Sequence, residues 1–77
     1  MPAVMEKGAG LHVAKVVELT SASTRSFEDA ITAGIARASK TLEGIQGAWI
    51  QDQKVVVKDG KVIEFRVDMK VTFLLKE

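Results

Sequence analysis

Cysteine is absent from this chain, which rules out disulfides and thiolate metal sites. One histidine, His12, cannot hold zinc alone and has no second histidine to work with, so it reads as an ordinary surface residue. No apolar run exceeds a few residues, far short of a membrane span. Charge of one sign is lacking too: eleven basic and ten acidic residues are spread without blocks, for a net charge of +1. A nucleic-acid-binding protein would be expected to cluster its basic residues into a stripe. Pro2, Gly8 and Gly10 lie near the start with no apolar stretch of the signal-peptide kind. Residues 1–11 read as a flexible arm, residues 12–77 as the single domain, and the protein as cytoplasmic. Gly8-x-Gly10 is not a dinucleotide fingerprint, because no strand precedes it and no helix follows at once. No nucleophile motif, phosphate loop or metal-ligand spacing is visible, and an enzyme is not expected.

What is present is a long alternation. From Lys61 to Leu75, Ile63, Phe65, Val67, Met69, Val71, Phe73 and Leu75 share one face of a strand. Glu64, Arg66, Asp68, Lys70 and Thr72 share the other. Fifteen residues at about 3.3 Å each reach roughly 50 Å. A 77-residue chain has little with which to cover such an object. Domains of this size bury only about 60% of their unfolded surface and usually need a disulfide, a metal or a partner. With the first two excluded, oligomerisation is expected.

Upstream, Val13 to Thr20 is β-branched and roughly alternating, a first strand. Thr20 to Ser26 reads as a loop, and Ser26-Phe27-Glu28-Asp29 as a capping box. Phe27, Ala30, Ile31, Gly34, Ile35, Ala38, Leu42 and Ile45 follow at helical spacing, with Arg37, Lys40 and Glu43 off that face. Gly44 and Gly47 are stop signals, predicting a helix of roughly 18 residues, about 27 Å. Gly47 to Lys58 is a second strand, and Asp59-Gly60 is a type I′ hairpin signal before the third. The fold class is α+β: β-α-β-β, a three-stranded antiparallel sheet packed on one helix.

Trp49, the single tryptophan, has two readings. It is a core or interface plug, or it is a stacking platform for a flat aromatic ligand.

Several segments together resemble the dodecins. They are Val13-x-Lys15-Val16-Val17-Glu18-Leu19, Ser26-Phe27-Glu28-Asp29-Ala30, Ala36-Arg37-Ala38-Ser39-Lys40-Thr41, Ala48-Trp49 and Arg66-Val67-x-Met69-Lys70-Val71-x-Phe73. The resemblance runs from Val13 to Leu75. It implies a hollow homododecamer of β-α-β-β protomers, storing or sequestering flavin (FMN or riboflavin) between chains. Two flavins would be sandwiched there between tryptophans, and Trp49 falls on the stacking position. Ala48 and Gln51 flank it and could offer backbone or amide contacts to the ring edge. Arg66 stands where flavin-binding members usually carry glutamine; it can donate to ring carbonyls but cannot accept from a ring N–H. Lys54 is the nearest candidate for an FMN phosphate, and the Asp59-Gly60 hairpin is shorter than in many members. The alternative the resemblance carries is a cage without flavin, its pocket closed by Arg66 paired to Glu64 or Asp68. Such a cage would take another small ligand or a divalent cation such as calcium.

Overall fold

The computed structural model describes residues 13–75. The expected arm and His12 lie outside them. The element order is β1 (Ala14–Ser23), α1 (Phe27–Ala38), β2 (Ile45–Lys58) and β3 (Lys61–Leu74). All strand pairings are antiparallel, in the order β1-β3-β2. The long alternating strand is therefore the central one, which is where a strand with two sets of ladder bonds belongs.

Ser26 starts the helix in extended backbone, and its hydroxyl accepts from the Asp29 amide at 2.9 Å. The Asp29 carboxylate accepts from the Ser23 hydroxyl at 2.7 Å, tying the helix start to the end of β1. Phe27 packs edge-on against Phe65 of β3, with ring centroids 5.2 Å apart. Ala30, Gly34 and Ala38 are buried against the sheet, with Phe27, Ile31 and Ile35 partly buried beside them. Small residues in that row let the helix backbone approach closely. Beneath it Val67, Met69 and Val71 are fully buried. Burying side chains of this kind stabilises by about 1.5–3 kcal/mol each.

The helical face is as the spacing predicts, but the helix is shorter. It has 12 residues and gives way to tight turns through Leu42, whose amide still reaches the Ala38 carbonyl at 2.8 Å. Gly44, at φ 73°, turns the chain into β2, and Ile45 is already a strand residue. Leu42 and Ile45 thus continue the apolar pattern without continuing the helix. At the other boundary β1 runs on to Ser23, through most of the expected loop. Ser21, Ala22 and Ser23 pair with Val67, Arg66 and Phe65, and that central strand supplies the partner their composition does not advertise. The hairpin is as expected: Asp59 and Gly60 have φ of 52° and 75°.

Candidate functional site

The helix packs on one face of the sheet, against β1 and β3, and the other face carries the candidate site. In register order, β3 contributes Glu64, Arg66, Asp68, Lys70 and Thr72 to it. Across from them β1 places Ala22 by Arg66, Thr20 by Asp68, Glu18 by Lys70 and Val16 by Thr72. On β2, Trp49 is paired with Lys70, Asp52 with Asp68, Lys54 with Arg66 and Val56 with Glu64.

Trp49 and Asp52 are three residues apart, a spacing that strict alternation would put on opposite faces. A register shift between Ile50 and Asp52 leaves Gln51 as the extra residue of a β-bulge and brings both to the same face. The Trp49 side is consequently open: the residue is 72% exposed, against a cleft lined also by Val16, Glu18, Lys70 and Thr72. An indole that was a plug for its own protomer would be buried. This one is not.

Next to it the face is striped by charge. Asp52 sits opposite Asp68, and one row on Lys54 sits opposite Arg66. Like charges directly opposite are unfavourable, but here each has an opposite charge two positions along its own strand. Thr20 steadies Asp68 by donating its hydroxyl at 2.9 Å. The Arg66 Nε–H donates to the Glu64 carboxylate at 2.7 Å. These two rows line a second cleft of about 230 Å³, with Thr20, Asp52, Gln53, Lys54, Arg66 and Asp68 on its walls. Among the described residues no group of three or more His, Asp or Glu is arranged to hold a metal ion, and no helix is long and apolar enough to cross a membrane.

A family model for dodecins matches residues 13–76. The chain belongs to the dodecin family. It is 35% identical over 65 residues to the dodecin of Thermus thermophilus, covering 84% of this chain and 94% of that one. The solved dodecin of Streptomyces davaonensis superposes with a TM-score of 0.82 at 32% identity, over 86% of this chain and 97% of the other. The calcium dodecin of Mycobacterium tuberculosis, described as a calcium-chelating antigen with a novel calcium-binding site, matches with a TM-score of 0.73 at 28% identity, over 83% and 91%.

In this dodecin chain the sequence-derived site residues separate by face. Trp49, Lys54 and Arg66 share the open face, the last two as direct neighbours. Ala48 pairs with Val71 on the helix side, so only its backbone is near the Trp49 cleft. Gln51 occupies the bulge and lines a neighbouring cleft with Glu18, Thr20, Asp52 and Asp68. Of the two carboxylates considered as partners for Arg66, Glu64 makes the contact. Sequence reasoning missed Asp52, Thr20, Glu18 and Val16 as neighbours of the site. The available signal was Gln51-Asp52-Gln53-Lys54, four polar residues in a row that break the period of two where the bulge lies.

Proposed function

We propose that this chain assembles into a hollow homododecamer that stores or sequesters flavin in the cytoplasm, without acting as an enzyme. One observation carries the reading: the single tryptophan stands 72% exposed on the open face of the sheet, set apart from the protomer's core. A large exposed indole costs solubility unless it meets something flat and apolar, and in an assembly of copies that surface is turned toward a neighbouring chain.

The residues around Trp49 suit the isoalloxazine group in chemistry. Arg66 offers N–H donors for ring carbonyl oxygens. Asp68 and Asp52 offer acceptors for a ring N–H, which the arginine cannot supply. Lys54, beside Arg66, is the cation for a phosphate in FMN; riboflavin would leave it unused. Gln51 and the Ala48 backbone remain the candidates for the ring edge. Bound flavin would supply a light-absorbing, electron-poor ring, and an indole stacked on it would quench its emission.

The test is a fluorescence titration of riboflavin and FMN with purified protein and with the Trp49→Ala variant. Quenching by the wild type is expected. Stacking and apolar contact of this kind contribute about 2 kcal/mol or more, so the variant should bind about thirtyfold more weakly. Unchanged flavin emission with micromolar wild-type protein would sink the reading.

A second reading has its own observation. The Arg66–Glu64 ion pair lies on the ligand face, and the calcium dodecin shows that a relative of this fold is described by another ligand. In this reading the paired arginine closes the pocket, and Asp52 and Asp68 are the carboxylates nearest to hand for a cation. Calcium takes about six to eight oxygen ligands, so further ones would come from neighbouring copies and water. Arg66→Gln separates the readings: it should gain flavin binding if the arginine is the obstacle, and a wild type and variant that are equally inert would exclude that cause.

A further inference from the structure

Arg66 stands on β3 with a carboxylate two positions away on each side, Glu64 toward the hairpin and Asp68 toward the Trp49 row. Two positions along a strand are about 7 Å, within the reach of an arginine side chain, so the two carboxylates compete for it. Glu64 wins: it accepts from the Arg66 Nε–H at 2.7 Å, and among the described residues Arg66 has no ion pair with Asp68. Asp68 is held by the other neighbouring strand, accepting the Thr20 hydroxyl at 2.9 Å. Asp52 and Lys54 repeat the two charges opposite them on β2, but no side-chain bond among the described residues fixes either.

The choice of partner has a chemical consequence. An Arg66–Asp68 pair would spend the donor and the acceptor on each other. Held through Nε, Arg66 keeps the N–H donors of its terminal amino groups, and Asp68 with one hydroxyl keeps further lone pairs. The two lie unjoined on the walls of one cleft of about 230 Å³, with Asp68 one row from Trp49. We infer that Glu64 and Thr20 are positioning residues that keep Arg66 and Asp68 apart, so that the face selects a flat ring with a cyclic-imide edge. Such an edge carries an N–H between two carbonyls. Arg66 donates to a carbonyl, and Asp68 accepts from the N–H; neither could serve the other function, because arginine has no acceptor and an ionised carboxylate no donor. The flavin ring presents this edge. The inference rests on the flavin reading above and adds which ring atoms are read and what holds the groups that read them.

The probes are riboflavin and 3-methylriboflavin, whose imide N–H is replaced by N–CH3, each titrated by flavin fluorescence. The full-length wild type should bind riboflavin about tenfold or more tightly than the methylated ring, as expected for a hydrogen bond to a charged acceptor. Glu64→Met and Thr20→Val free Arg66 and Asp68 to pair, and each should bring that ratio toward one. In the Arg66→Gln background neither change should move the ratio, because both act through the arginine. Far-UV circular dichroism confirms that each variant is folded, and the two separate positions guard against one that is not. Riboflavin binding with equal affinity for the methylated ring, or with a ratio that neither variant alters, would overturn the inference and leave the flavin reading standing. So would an effect of Glu64→Met or Thr20→Val that persists undiminished without Arg66. A wild type that binds neither probe would overturn both.

Discussion

Gly34 is the position at which the close approach of helix and sheet can be tested by a single methyl group. A Cβ added there would lie 2.6 Å from Met69 Cε, 3.0 Å from Ser21 Cβ and 3.1 Å from Ser21 Oγ. Two effects oppose each other. Alanine in a helix interior is favoured over glycine by about 0.5–1 kcal/mol. Forcing a methyl into a packed core costs about 1–3 kcal/mol. The Met69 terminus is flexible and can swing, but Met69 is fully buried and has little room to go. Ser21 Cβ is anchored to β1, whose backbone is paired to Val67. The cost wins, and Gly34→Ala should destabilise by about 0.5–2 kcal/mol. Urea unfolding followed by far-UV circular dichroism reads this, at one fixed protomer concentration because assembly makes apparent stability concentration-dependent. Ser21→Gly removes both Ser21 contacts, so in the Gly34→Ala background it should recover part of the loss, while alone it should not stabilise. Gly34→Ala protein as stable as the wild type would show that α1 does not sit this tightly on the sheet.

The remaining predictions concern a cap and a turn. Ser26→Ala removes the acceptor for the Asp29 amide and should lower stability by about 1 kcal/mol in the same urea assay. Gly60→Ala places a side chain at φ 75° with nothing within 4 Å of the new Cβ, so its cost is backbone strain alone, about 1 kcal/mol, and Asp59→Gly should be close to neutral by thermal melting.

Much of the fold could be read from local chemistry. The Asp59-Gly60 turn, the Ser26 cap and the apolar face of α1 each depend on neighbours in sequence, and each is found where the pattern placed it. The misreadings share a different cause. Leu42 and Ile45 keep helical spacing, yet the helix ends at Ala38 and Gly44, at φ 73°, turns the chain into β2. Ser21 to Ser23 have loop-like composition but are held as strand by pairing with β3, more than forty residues away along the chain. Long-range pairing of this kind leaves little local signal. The site divides the same way. Trp49 stands out by residue type, while Lys54 and Arg66 were drawn in by the family resemblance, and all three fall on the open face. That Trp49 shares its face with Asp52 depends on the bulge at Gln51, a departure from the period of two on which strand reading rests. Ala48, next to the tryptophan in sequence, turns its side chain to the opposite face, which leaves its backbone as the part near the Trp49 cleft.

The chain contains one tryptophan and no tyrosine, so its ultraviolet emission on selective excitation is the emission of Trp49 alone. Titrating the unmutated protein with riboflavin reads the open face of the sheet without any substitution. If flavin stacks on Trp49, that emission should fall saturably, beyond the inner-filter loss measured with free tryptophan. Emission that follows the free-tryptophan control throughout the titration would contradict the account.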